Sequence, residues 1–476
     1  MALDPMSPAV AGGRLEPRSL ASDHLAADGP GDRRRLHMLL VSYRFPPQSS
    51  GGVLRPLKFA KHCSRQGVKV TVLTAVPAAR IQEDRSLLRE VPPEVTVIRV
   101  PERRLLPLLP ESKGRWPLWT ALDRRTRVAL RYAIFHGLVP DDRAGFIEPA
   151  AALAADPRIH DVDVILATGQ PWSCFLIGER LSARLRRPLV LDYRDPWTTT
   201  FAGMPRNEGL AAILANRRIE RRVLRKAAAI VSVMEHFPSM LEEGLGLRGI
   251  GERFHWIPNG FDPEDFEGVE ASVPETFTVT YSGSLYGGRR LGPVVAALED
   301  LIAAGDVRRE DVRLQVLGPP TSKVLGELGD SALRDRIVAP GRVTHAETLA
   351  AQAASAVNLL VDIIYDGPNI HVPGKLYEYL RSGRPVLAVS NPGLTSRLIE
   401  EAAGGWVVPP GDHAALKARL GEAYQLWRNG AEMPAPRREV VERFNRAHLA
   451  ARLVAVLESV VAQSADPSAQ PRGGGR

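Results

Sequence analysis

The sequence predicts an α/β protein built from two doubly wound parallel sheets that face each other across a cleft. From residue 36 to 408 short β-rich runs alternate with helical stretches, the pattern of strands covered by helices on both faces. The runs also fall into two series, divided by the turn-forming segment IPNGFDPEDF at 257–266. The first series predicts strands at 37–43, 68–74, 95–100, 164–168, 189–193, 229–233 and 255–257. The second predicts strands at 277–282, 313–317, 356–360, 386–389 and 405–408.

A chain of 476 residues with 44% hydrophobic and 24% charged side chains has the composition of a soluble globular protein of more than one domain. It contains no apolar run near the roughly 18 residues needed to span a membrane. Residues 1–35 lack the apolar core of a secretory signal and read as a disordered extension, as does the tail 464–476. Cys63 and Cys174 lie in predicted helices, outside any zinc or redox spacing, so a reducing, cytoplasmic location is expected. The net charge of +8 attracts phosphates, but no nucleic-acid motif accompanies it. Between 113 and 137, Lys113, Arg115, Arg124, Arg125, Arg127 and Arg131 are interleaved with Trp116, Trp119, Tyr132 and Phe135. Two readings fit this stretch: contact with the anionic inner face of the plasma membrane, or an amphipathic helix with its aromatics in the core.

Ligands of open α/β sheets bind where strands end, so the loops there carry the functional argument. After the first strand, Gly51 and Gly52 precede a helix bearing Arg55 and Lys58, allowing close backbone approach and offering N–H groups to an anion. Neither the dinucleotide nor the ATPase glycine spacing is present. After the fifth strand, LDYRDPWTT places Asp192, Arg194 and Asp195 together, facing the cleft or forming an internal ion pair. The second series opens with YSGSLYGGRRL, whose Arg289 and Arg290 are candidate diphosphate ligands or solvated loop charges. In PGKLYEYLRSGRPVL, from 373 to 387, Gly374 and Lys375 begin a helix whose N-terminus suits a phosphate, with Glu378 one turn on to accept from a ribose diol. Lys375 and Glu378 also have the spacing of a simple surface pair. Asp161-Val162-Asp163 mimics a metal-binding DxD but lies before a strand and reads as strand-edge structure.

Taken in order, VSYRFPPQSSGGVLRPLKFAK, LVLDYRDPW, IPNGFD, SGSLYGGRR and PGKLYEYLRSGRPVL resemble the retaining glycosyltransferases of family 4, whose two Rossmann-like domains make the GT-B architecture. The resemblance spans 36–463. It implies an N-terminal acceptor-side domain over 36–262, completed by a returning helix at 436–463, and a nucleotide-sugar-binding domain over 263–435. Hexosyl-type transfer from a nucleotide diphosphate sugar to an acceptor hydroxyl, in glycan, exopolysaccharide or glycoconjugate synthesis, follows by the same resemblance. The acceptor is unspecified, a lipid-linked glycan among the candidates, and nucleic acid is not an expected partner.

The family pattern assigns Gly51 and Gly52 to the donor diphosphate and acceptor, Arg194 and Asp195 to the turn near the donor sugar, and Arg289 or Arg290 to the diphosphate. Glu378 takes the ribose. Three positions depart from it: Ser284 replaces an arginine, Arg194 replaces a histidine, and Ile370 replaces the glutamate eight residues before Glu378, with His371 its polar neighbour. The implied chemistry has Arg289, Arg290, Lys375 and helix N-termini stabilising the departing diphosphate, which itself accepts the acceptor proton. Neither metal nor cofactor is expected. Ile370 leaves open a nucleotide-sugar epimerase or a non-catalytic donor-binding protein.

Overall fold

The computed structural model describes residues 35–465 apart from 50, 78–82, 104–138, 200–208, 270, 286–287, 320–325, 327 and 365–366. The expected extension up to residue 34 and the basic aromatic stretch 113–137 lie outside the described residues, as does the tail after Ala465.

Strands β1 (His37–Val41), β2 (Lys69–Ala75), β3 (Thr96–Val100), β4 (Val164–Gly169), β5 (Leu189–Tyr193), β6 (Ala229–Ser232) and β7 (Phe254–Trp256) form a parallel sheet in the order β3-β2-β1-β4-β5-β6-β7. Every residue of β1, β4 and β5 is buried, as expected for strands covered on both faces. The second sheet comprises β8 (Phe277–Ser282), β9 (Val312–Leu317), β10 (Ile337–Gly341), β11 (Val357–Val361), β12 (Val386–Val389) and β13 (Gly405–Val408), also parallel, in the order β10-β9-β8-β11-β12-β13. In each sheet the winding reverses beside the first strand, between β1 and β4 and between β8 and β11, opening a crevice there.

The first sheet is covered by α1 (Leu54–Arg65), α2 (Ile147–Ala152), α3 (Ser173–Leu185), α4 (Leu210–Lys226) and α5 (Phe237–Leu245). The second is covered by α6 (Gly292–Ala303), α7 (His345–Ala353), α8 (Gly374–Arg381), α9 (Leu394–Glu401) and α10 (His413–Arg428). After α11 (Arg438–Glu442), α12 (Arg446–Ala465) returns to the first sheet, burying Leu449, Leu453 and Leu457 in the same cluster as Leu57, Ala60 and Cys63 of α1.

The chain therefore crosses between sheets twice, and the two crossings are tied. Phe261 N–H donates to the Phe444 carbonyl at 3.1 Å, and Arg446 N–H donates to the Phe261 carbonyl at 2.9 Å. A Cβ at Gly260 would lie 2.0 Å from the Phe444 oxygen, so only glycine lets the segments approach this closely.

The Asp161-Val162-Asp163 stretch braces β1. Asp161 pairs with Lys69 at 2.8 Å and with the His37 ring at 3.0 Å, while Asp163 accepts from the His37 N–H at 2.9 Å. Both cysteines are buried and unbridged, and burial pushes each thiol up to about 12. No helix among the described residues is long and apolar enough to cross a membrane.

Candidate active site

The site is built where β8 and β11 diverge. Helix α8 is docked on the end of β8 by two of its side chains. The buried Tyr379 hydroxyl accepts from Ser282 N–H at 3.0 Å and lies 3.3 Å from the Leu359 carbonyl. Lys375, in the first turn, donates to the Ser282 carbonyl at 2.7 Å with its ammonium 3.9 Å above the centre of the Tyr281 ring. Beneath it, Gly283 and Gly318 both have positive φ, and a Cβ at Gly318 would meet the Gly283 oxygen at 2.4 Å. Two backbones thus touch where side chains would otherwise fill the crevice floor.

No carboxylate forms an ion pair with Lys375 among the described residues; its nearest anions act only at longer range. Burial, followed by repulsion from Arg289, lowers it to about 7. Of the two predicted arginines, Arg289 is buried and its charge acts on both Lys375 and His371, whereas Arg290 is exposed. Ser284 is exposed, and its carbonyl accepts from the Tyr281 hydroxyl at 3.1 Å. Gly374 is exposed as the first residue of α8.

His371 is held from three sides. Its N–H donates to Asn369 Oδ1 at 3.0 Å, its carbonyl accepts from Thr395 Oγ1 at 3.1 Å, and its Nε2 lies 3.8 Å from Asp362 Oδ1. Asp362 is fully buried and also takes hydrogen bonds from Asn369, Ser390 and Thr395. Burial lowers the His371 pKa, against the opposing charges of Asp362 and Asp195. Asp195, exposed after β5, is thus close enough to act on His371 from the opposite sheet.

Two expectations are corrected by the geometry. Arg194 does not pair with Asp192. Its guanidinium donates to the carbonyls of Gly52, at 2.7 Å, of Gly169, also at 2.7 Å, and of Gln170, so it braces the glycine loop. Asp192 pairs instead with Arg55, at 2.7 Å, and both are buried. Gly51 is exposed and Gly52 half-buried against Arg194, whose Nη1 would lie 3.2 Å from a Cβ there. The loop carrying Asp195 is anchored by Glu220, which accepts from Thr198 N–H at 3.1 Å and is raised to about 7 by burial.

Glu378 is the second correction. It does not pair with Lys375 on the helix surface; its Oε1 lies 3.0 Å from His345 Nε2, at the start of α7. Behind that contact is a buried cluster that sequence spacing did not indicate. Lys58 of α1 bridges Glu90, Asp262 and Asp265; Lys61 and His62 contact Asp262 at 2.8 and 3.1 Å. Arg55 also donates to the carbonyls of Ile257 and Pro258, each at 2.9 Å. The basic face of α1 therefore grips the crossing segment. Glu90, Asp265 and His345 have metal-ligand types within reach of one another, but the Lys58 ammonium already pairs with both carboxylates.

Two family models match the chain: the glycosyl transferase 4-like domain over residues 50–260 and the glycosyl transferases group 1 over 276–425. The chain is 26% identical over 459 residues to the MMP alpha-(1->4)-mannosyltransferase of Mycolicibacterium hassiacum, a match spanning 90% of this chain and all of that one. Among solved structures it is similar to Anabaena Alr3699/HepE in complex with UDP and glucose, with a TM-score of 0.60, 15% identity and 89% of this chain and 100% of that chain covered. The same Anabaena protein in complex with UDP-glucose also matches with a TM-score of 0.60, at 16% identity and the same coverage. At these identities the structural likeness speaks to fold.

Proposed function

The chain belongs to the GT-B-fold glycosyltransferases, and from that premise we propose that it moves a sugar from a nucleotide diphosphate sugar to an acceptor hydroxyl with retention of configuration. One observation carries the donor class. Lys375 is partly buried within electrostatic reach of a second cation, Arg289, at the first turn of a helix, and its direct partners are a carbonyl and an aromatic face. Such an arrangement costs free energy until an anion arrives, and a diphosphate at the α8 N-terminus would supply the charge. The complexes of the Anabaena protein with UDP and UDP-glucose support the same donor class.

In this reading Lys375 and Arg289 take up the negative charge that grows on the leaving diphosphate as its bond to the sugar breaks. Cations already fixed and partly desolvated do so with little reorganisation. Gly374 N–H adds a helix-terminal donor. Glu378 faces the nucleotide ribose, and His371, held by Asp362 beside Ile370, meets the transferred sugar across from Asp195. The leaving phosphate accepts the acceptor proton, which requires no protein nucleophile. Action at an anionic membrane surface is supported by α4, where the exposed Leu210 and Leu214 continue into the exposed Arg218 and Arg225.

The decisive experiment is incubation with a panel of nucleotide sugars, with and without acceptor lipids and glycans. Release of nucleoside diphosphate that requires acceptor, with the product anomer matching the donor by NMR, is expected. Release without acceptor would favour hydrolysis or epimerisation, and binding without turnover would overturn the transferase assignment.

A further inference from the structure

We infer that His345 is a positioning residue that holds Glu378 in place and links the donor helix to the crossing segment through Asp265. The inference rests on the reading above in which Glu378 meets the donor nucleotide. His345 is the first residue of α7, fixed there by a capping box in which Thr344 Oγ1 accepts from Glu347 N–H and Glu347 reaches back to Thr344 N–H. Its two ring nitrogens face two carboxylates on different elements. Nε2 is 3.0 Å from Glu378 of α8, and Nδ1 is 3.8 Å from Asp265, which follows the first crossing. All three side chains are largely buried.

A neutral imidazole can keep one hydrogen bond, to Glu378; the imidazolium keeps that bond and adds the attraction of its charge to Asp265, 3.8 Å away. The charged groups around it decide which form prevails. Lys58 of α1 and the N-terminus of α7 oppose the positive ring, Glu378 and Asp265 favour it, Glu90 stands against Lys58, and Arg446 of α12 acts on Glu378. Burial alone would lower the His345 pKa, but the two carboxylates outweigh it and raise it. Burial, the largest single influence, would raise Glu378, but the charge and hydrogen bond of His345 together with Arg446 and Lys58 hold it below its ordinary value.

The consequence is mechanical. Asp265 is bonded to Lys58, and α1 begins just after the Gly51–Gly52 loop, so Glu378, His345, Asp265 and Lys58 form a continuous relay from the donor helix of one sheet to the glycine loop of the other. With His345 protonated the relay is complete. Because a raised folded pKa stabilises the bonded state below it, the link weakens as pH rises through that value, and Glu378 gains rotational freedom.

The test is a double-mutant cycle on nucleotide binding by the full chain, with UDP and GDP as probes, over pH 6 to 9. His345→Ala is expected to weaken binding about tenfold near pH 6, as a rise in donor KM with kcat little changed. His345→Gln, which keeps one donor toward Glu378 but cannot take up a proton, should restore part of the affinity, and its advantage over His345→Ala should not change with pH. In a Glu378→Gln background His345→Ala should have little further effect. A His345→Ala effect that persists undiminished in that background, or a wild-type-to-Ala ratio constant across the pH range, would overturn the inference alone. Failure of the wild-type chain to bind either nucleotide while Glu378→Gln leaves donor turnover unaltered would overturn the donor reading and the inference with it.

Discussion

Two lysines withdrawn from water, Lys58 buried at the crossing and Lys375 partly buried at the crevice, show how one residue type serves opposite ends. Lys58 is met by Glu90, Asp262 and Asp265, and Asp262 is in turn met by Lys61 and His62. Lys375 has a carbonyl, a ring face and a neighbouring arginine. Desolvation is offset within the fold in the first case and left for a ligand in the second. A buried cation matched by carboxylates is structural, whereas one repelled by a second cation is, in the proposed function, the place for an anion.

The comparison breaks most readily on stability. Lys58→Met leaves three carboxylates facing one another without their common counter-ion, and a loss of about 3–5 kcal/mol is expected by urea denaturation. Lys375→Met replaces a partly buried amine, disfavoured as a cation by desolvation and by Arg289, with an apolar side chain of similar length, so the ligand-free protein should be as stable as wild type or more so. A destabilised Lys375→Met, or a Lys58→Met with an unchanged midpoint, would reverse the roles assigned to the two sites.

Turnover sharpens the crevice side. Removing Arg289 and Arg290 together should lower turnover by about 100-fold or more, the scale of losing a preorganised charge at a leaving group. Arg289 is buried beside Lys375 and Arg290 is exposed, so Arg289→Ala alone should account for nearly all of the loss, with Arg290→Ala within about twofold of wild type. Equal effects of the two single variants would show that burial does not pick out the working arginine.

Proton linkage gives a finer test. With Lys375 lowered to about 7 from an ordinary 10.5, the folded, ligand-free chain holds it mostly neutral at pH 8.5, while the unfolded chain holds it charged. Its contribution therefore makes stability rise with pH between those values and leaves the lowest level below about 7. A bound diphosphate draws the proton back. Uptake of roughly one proton per UDP is expected at pH 8.5, falling away near pH 6, read from the buffer dependence of the binding enthalpy. The same measurement on Lys375→Met should show none of this uptake; retention of it would place the titrating group elsewhere.

The sequence was most legible where periodicity rules. Strands β5, β8, β12 and β13 have the bounds their apolar runs predict, because buried parallel strands are continuous and end where charged, polar, glycine or proline residues begin. Strand β10 was missed: IVAPG carries proline and glycine and lies half-exposed at the sheet edge, where such residues are tolerated. The glycosyltransferase assignment was readable from ordered loop motifs, and the places of Lys375 and Glu378 in the first turns of a helix were readable because helix spacing is local. Partners were not. Arg194 reaching Gly52, Arg55 reaching Asp192 and His345 reaching Glu378 each close a gap that only the tertiary fold defines. For His345 the one local signal is THAE, a capping box that fixes where the histidine sits without saying what it faces.

The smallest expected effect concerns the outer face of the first sheet's covering. On α4, Arg222 and Lys226 pair with Glu179, and Arg217 and Arg221 cap backbone carbonyls of α5, so those cations are partly spent within the fold. Arg218 and Arg225 are exposed, in line with Leu210 and Leu214. A surface that offers leucines to the acyl boundary and guanidinium groups to anionic headgroups gains about 1 kcal/mol per basic residue near the bilayer. Charge reversal by Arg218→Glu with Arg225→Glu should therefore reduce pelleting with phosphatidylglycerol liposomes several-fold at low salt, and leave activity on a soluble acceptor unaltered. Neutralising Arg124, Arg125 and Arg127 in the same assay separates the two candidate surfaces. Equal pelleting of the α4 variant and wild type would remove α4 from the membrane contact.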